Sequence, residues 1–85
     1  MPYYVYVLLC DGGSFYTGYT KNLDLRMTLH MNGKGARYTK THKPQTLAYV
    51  EGFSSRTEAM HRENKIKRLS HRQKLELMNA KIKPK

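Results

Sequence analysis

Tyr6, Tyr16, Arg26, His30 and Glu63 are the side chains of this chain best suited to chemistry, and the acid among them is the easiest to single out. The chain carries only six acidic residues. Asp11 falls in a turn, Asp24 and Glu58 begin helices, Glu76 sits among surface lysines, and Glu51 lies near the end of a strand. Glu63 differs. On a helix turning about 100° per residue, with Ala59 at zero, Ile66 falls near −20° and Glu63 near +40°, roughly within one apolar stripe. His61 falls on the opposite side. A carboxylate facing inward is costly unless it is paired, protonated or bound to a metal. An ion pair with an inward base such as Arg26, or a place at the rim of the stripe, accounts for Glu63 equally well from periodicity alone.

Arg26 and His30 are four positions apart in the sequence, so on a helix they share a face. Asn22 begins that face. Arg26 suits a phosphate or carboxylate, although a basic protein also carries many simply exposed arginines. His30 suits proton transfer, although a histidine at a helix C-terminus is also favoured by the dipole. The tyrosines depend on register. A three-residue loop at Asp11-Gly12-Gly13 would pair Cys10 with Ser14 and place Tyr6 and Tyr16 on one face, whereas a two-residue loop would separate them. Residue types leave both loops open, and packed sheet tyrosines are the plainer reading.

Other motifs carry no chemistry. Gly33-Lys34-Gly35 lacks the spacing and the following Lys-Ser/Thr of a phosphate-binding loop; a helix stop followed by a basic loop explains it. His30, His42, His61 and His71 show no zinc spacing. The single cysteine, Cys10, excludes an intrachain disulfide or a cysteine zinc site. The apolar run from Tyr3 to Cys10 is too short to span a bilayer and has no basic residue before it. No membrane association is expected, and the expected compartment is the cytoplasm.

Sixteen Lys and Arg against six Asp and Glu give a formal charge of +10. Such a surface favours polyanions. No Lys or Arg precedes Lys21, and no acid falls between Leu25 and Val50. That interval holds Arg26, Lys34, Arg37, Lys40 and Lys43.

The elements that must position these groups follow from local signals. Residues 3–10 and 14–20 predict two strands, the first apolar on both faces as a central strand should be. Asn22 caps a helix running to about Met31, with Gly33 as its stop. Residues 33–44 read as a loop, and 46–53 as a third strand. Ser55 with Glu58, and Ser70 with Gln73, are capping boxes opening helices to about Leu69 and Ala80. The order is ββαβαα, one small α+β domain over 1–80 with a three-stranded antiparallel sheet flanked by helices. A basic tail occupies 81–85.

Taken in order, these residues resemble the GIY-YIG nuclease family, and most of all its small stand-alone bacterial members. Tyr4-Val5-Tyr6 stands where the family has Gly-Ile-Tyr, and Tyr16-Thr17-Gly18 where it has Tyr-Ile-Gly. Arg26 occupies the place of the helical arginine, and His30 follows one turn later. "GKGARYT" resembles the subgroup's basic loop, and Glu63 falls at the metal-binding glutamate. The resemblance covers residues 3 to about 78. The polar asparagine that many relatives carry beyond the glutamate has no assigned counterpart, Asn79 being too far along.

The resemblance implies a nuclease that hydrolyses DNA phosphodiester bonds, in repair or recombination, with one Mg²⁺ or Mn²⁺ on Glu63. Arg26 would meet the non-bridging oxygens. Tyr16 would be the general base; a phenol ordinarily titrates near pH 10, so the cation, Arg26 and a hydrogen bond from Tyr6 or His30 would have to lower it. Gly18 would let the DNA backbone approach. Lys34, Arg37, Lys40 and Lys43, with Tyr38 for stacking, would grip branched or single-stranded DNA outside the site, and a protein partner could supply targeting. The alternative is a non-catalytic nucleic-acid-binding module of the same fold.

Overall fold

The computed structural model describes the backbone of residues 2–82 and the side chains of residues 2–79. Strand β1 runs from Tyr3 to Cys10, a 3-10 turn covers Asp11 to Gly13, and β2 runs from Phe15 to Thr20. Helix α1 spans Leu23–Met31, α2 Arg37–Thr41, β3 Pro44–Phe53, α3 Arg56–Lys67 and α4 His71–Ile82. The three strands form one antiparallel sheet in the order β2-β1-β3. The expected α+β frame is therefore present, with β1 in the middle. The basic tail expected over 81–85 begins within α4, and residues 83–85 lie outside the described residues.

The central place of β1 explains its composition. Val5 and Val7 point to one face and join Tyr49, Ala59, Ile66 and Met78 in a core that α3 and α4 cover. Tyr6, Leu8 and Cys10 point to the other face, where Tyr16, Leu23, Met27, Tyr38 and Val50 pack on them. A strand buried on both sides has no polar alternation to show. Full burial of a side chain such as Ile66, whose exposure is 0%, stabilises the fold by about 1.5–3 kcal/mol.

The hairpin takes the odd-length loop. Gly12 and Gly13 both sit at φ 82°, a conformation glycine adopts without strain. The Cys10 amide donates to the Ser14 carbonyl at 2.8 Å, and Leu8 pairs with Tyr16 and Tyr6 with Gly18. That register places the even-numbered residues of both strands on one face.

Helix α1 begins and ends where the sequence predicts. The Asn22 side chain accepts from the Leu25 amide at 3.0 Å, and the Thr20 hydroxyl accepts from the Asn22 amide at 3.1 Å. At its far end the Gly33 amide donates to the His30 carbonyl and the Lys34 amide to the Leu29 carbonyl. That double bond pattern, with Gly33 at φ 74°, is a Schellman stop.

Three expectations need correction. The segment 33–44 is not all loop, because Arg37–Thr41 forms the short helix α2. It is too short for periodicity to show, and its N-cap, Ala36, has no side-chain bond to the helix. Tertiary contacts hold it: Thr39 is buried, and Tyr38 packs on the core around Tyr6. Strand β3 begins at Pro44, two residues before the predicted Thr46, because the Lys43 carbonyl and Gln45 tie it to Asp11. The Ser55 capping box is half made. Ser55 accepts from the Glu58 amide, but Glu58 receives the Ser54 hydroxyl instead of returning to the Ser55 backbone. The Ser70–Gln73 box is complete in both directions.

Candidate active site

The edge strand β2 is the wall about which the site is built. A groove of about 600 Å³ is lined by Tyr6, Tyr16, Gly18, Thr20, Asn22 and Arg26 on the α1 side and by Tyr3, Tyr19, Arg56 and Glu63 on the α3 side, with Lys21 between. Tyr6, Tyr16, Arg26 and Glu63, which come from four separate elements, thus open onto one hollow. Its charge is lopsided: Lys21, Arg26 and Arg56 face a single carboxylate.

Each side chain has a local cause. Tyr6 is delivered by the central strand, and only 1% of it is exposed. Its hydroxyl lies 2.8 Å from Nε2 of His30. Burial, followed by the neighbouring Tyr16, pushes the Tyr6 phenol well above its ordinary range, with Arg26 opposing and Glu63 adding to the effect. Tyr6 therefore stays protonated at neutral pH. Tyr16 sits across from it, ring centroids 6.3 Å apart, and 5.2 Å from the His30 ring. Gly18 is opposite Tyr6 in the sheet, and a Cβ there would lie 2.6 Å from the Tyr6 hydroxyl and 2.8 Å from its ring carbon Cζ. Glycine is thus required for the Tyr6 ring to lie across β2.

His30 does not line the groove. It lies behind Tyr6, 1% exposed, with Nδ1 2.9 Å from the Thr39 hydroxyl. Burial, and then the positive charge of Arg26, lower its pKa, so it is a neutral imidazole at neutral pH. Arg26 is half-buried and reaches the Gly35 carbonyl from Nη1 at 3.4 Å. Gly35 lies flat against the His30 ring, where any Cβ would collide with Nδ1 and Cγ. The segment after α1 therefore holds both Arg26 and His30 in place.

Glu63 faces inward as its periodicity predicts. Ala59 and Ile66, its neighbours on the stripe, are fully buried. Its side chain is 14% exposed, and Lys67 sits 3.4 Å from Oε2. The partner is thus Lys67, one turn on along the same helix, and not Arg26. Among the described residues no group of three or more His, Cys, Asp and Glu side chains comes together. A single carboxylate at the edge of an open groove suits a hard, oxygen-seeking cation that takes its remaining ligands from water and substrate oxygens. Mg²⁺ and Mn²⁺ fit that description.

The expected DNA-gripping residues lie apart from the groove. Tyr38 stacks on Tyr16 at 6.0 Å and on His42 at 4.1 Å, forming a short aromatic ladder beside the site. Lys34, Arg37, Lys40 and Lys43 are exposed around α2, and none of them lines the groove. Sequence reasoning passed over Tyr19 and Arg56, whose Nε donates to the Tyr19 hydroxyl at 3.2 Å. A signal for Arg56 existed: it precedes Glu63 by seven positions, two helical turns, and so shares its face. Thr39 gave no signal, since nothing local marks it as buried.

A three-stranded antiparallel sheet, paired tyrosines on its hairpin, an arginine on the following helix and an inward glutamate on a later one define a class. The chain belongs to the GIY-YIG family, whose catalytic-domain model matches residues 2–76. Among particular proteins, it is 51% identical over 76 residues to a UPF0213 protein of Staphylococcus haemolyticus, covering 89% of this chain and 93% of that one. A UPF0213 protein of Clostridium perfringens is 47% identical, covering 92% and 84%. The solution NMR structure of a UPF0213 protein from Bacillus halodurans superposes with a TM-score of 0.64 at 45% identity, covering 99% of this chain and 89% of that one. No helix among the described residues is long and apolar enough to cross a membrane.

Proposed function

We propose that the protein is a divalent-metal-dependent nuclease that hydrolyses DNA phosphodiester bonds. The observation that carries this reading is the meeting of Tyr6, Tyr16, Arg26 and Glu63 in one electropositive groove. Membership of the GIY-YIG family supports it, and so does the net charge of +10.

Hydrolysis of a phosphodiester needs a water relieved of its proton, compensation for charge gathering on the phosphoryl oxygens, and room for the strand. Arg26, held by the Gly35 carbonyl, supplies a positioned guanidinium for the non-bridging oxygens. Glu63 would hold the cation, which when bound would polarise the phosphoryl group. Tyr16 would take the proton of the attacking water, a reading supported by the burial that keeps Tyr6 protonated. Gly18, without a side chain, leaves the space in which the Tyr6 hydroxyl reaches the groove. Lys34, Arg37, Lys40 and Lys43, with Tyr38, grip the flanking strands.

The test is cleavage of nicked, flapped, branched and linear DNA in Mn²⁺. Glu63→Ala, Tyr16→Phe and Arg26→Ala should each remove cleavage, by about 100-fold or more, while DNA binding changes much less. Undiminished cleavage by Glu63→Ala would expose a contaminant and end the assignment. Tight DNA binding without cleavage on any of these substrates would favour the binding-module alternative.

A further inference from the structure

A chain of four polar groups runs from the groove into the protein. The Tyr6 hydroxyl is 2.8 Å from His30 Nε2, His30 Nδ1 is 2.9 Å from the Thr39 hydroxyl, and that hydroxyl donates to the Ala36 carbonyl at 3.1 Å. The chain is buried along most of its length, Tyr6 and His30 being 1% exposed and Thr39 2%. Its far end is a carbonyl, which can only accept. A hydroxyl has one proton to give. If Thr39 gives it to Ala36, the Thr39 oxygen must accept from Nδ1, and a neutral ring protonated at Nδ1 must accept at Nε2. The direction of every bond then follows from one end.

We propose that Thr39 is a positioning residue: by donating to the Ala36 carbonyl it holds His30 in the Nδ1–H tautomer and so makes Tyr6 the donor to Nε2, leaving the Tyr6 oxygen lone pairs to face the groove. The opposite tautomer would reverse the site. Nε2 would donate to Tyr6, and the Tyr6 proton would have to turn away from His30, presenting a donor where an acceptor is needed. Two further features support the arrangement. Burial and Arg26 keep the imidazole neutral, so that it has a tautomer to choose. Gly35 leaves room for the ring at the one place where any side chain would push it off Thr39.

The consequence for catalysis rests on the nuclease reading: an accepting Tyr6 oxygen can take a hydrogen bond from the attacking water, which orients that water for reaction. The tautomer itself does not rest on that reading, and this separates the two tests. In ¹⁵N-labelled protein, with the His30 signals assigned by comparison with His30→Gln, the ring nitrogens report directly which one carries the proton. The wild type and Thr39→Ser should show Nδ1–H with a bare Nε2. Thr39→Val, which keeps the volume but removes the acceptor, should show Nε2–H or a mixture, and Thr39→Ala supplies the same loss should the valine variant fail to fold. Cleavage by Thr39→Val should fall by about 10- to 100-fold in kcat with KM for DNA little changed, and Thr39→Ser should regain most of the rate. A wild-type ring protonated at Nε2 would overturn the inference, and so would a hydroxyl-free variant with an unaltered tautomer. A protein that cleaves no DNA yet shows these spectra would sink the nuclease reading alone.

Discussion

The smallest decisive object in this protein is one imidazole. His30 is all but shut off from solvent, yet it bonds the tyrosine that lines the groove, and the residues around it (Tyr6, Tyr16, Arg26, Thr39 and Gly35) include one fixed positive charge. Its lowered pKa has a consequence for stability whose sign is set by linkage. In the unfolded chain a histidine takes up a proton near pH 6.5, whereas the folded chain refuses it until lower pH. As pH falls from neutrality through about 6.5 the unfolded state is the first to gain a proton, so stability declines until the folded value is passed. The urea midpoint of the wild type should therefore drop between about pH 7.5 and pH 5, and His30→Gln should show a shallower drop. Equal slopes in the two proteins would mean that His30 titrates as if it were exposed. Of the candidate site residues, the inward turn of Glu63 was legible from helical spacing, whereas spacing alone left Tyr16 and Arg26 open and the family resemblance singled them out. Thr39 was not legible, because a threonine in a short polar loop looks the same whether buried or exposed.

At the scale of elements, β2 does two jobs with alternate residues. Tyr16 and Gly18 face the site, while Phe15, Thr17 and Tyr19 face α3. Thr17 stands where the family motif has an apolar isoleucine. It is 4% exposed, and its hydroxyl has no partner among the described residues. A buried hydroxyl without a hydrogen bond loses hydration and recovers nothing for it. Thr17→Val keeps the shape and removes the stranded group, so it should stabilise the protein by about 1 kcal/mol, seen as a higher urea midpoint with an unchanged slope. A loss of stability would reveal a partner for that hydroxyl. The element boundaries were readable wherever a side chain caps a helix or a glycine ends one, as at Asn22, Gly33 and Ser70. They were missed at α2, which is held by partners outside the helix, Tyr16 for Tyr38 and His30 for Thr39.

Across the whole molecule, charge and groove are arranged as layers. Three cations face Glu63 in the groove, and the exposed Lys34, Arg37, Lys40 and Lys43 surround α2 beside it. If the outer layer holds phosphates by charge, DNA affinity should fall steeply with salt, each neutralised phosphate adding about 0.9 to the log–log slope on duplex DNA. Replacing Arg37 and Lys40 with Ala should weaken binding at low salt and flatten that slope by up to about 2, as fluorescence anisotropy titrations over a salt series would show. An unaltered slope would place the phosphates elsewhere on the protein. Glu63→Ala, by contrast, should leave the slope nearly unchanged, since it removes a negative charge from the groove and no phosphate contact.

Short-range physics let the sequence alone determine a good deal here. An apolar run on both faces marks a central strand, side-chain caps mark α1 and α4, and helical periodicity turns Glu63 inward, since each depends only on residues within a turn or two. The tertiary structure decided the rest. Whether Tyr6 and Tyr16 share a face depended on one residue of loop length, and residue types alone left that open. What surrounds His30 depended on contacts between residues far apart in sequence, Tyr6 and Tyr16 reaching it from the sheet. Such contacts form only once the sheet and its helices have closed around them.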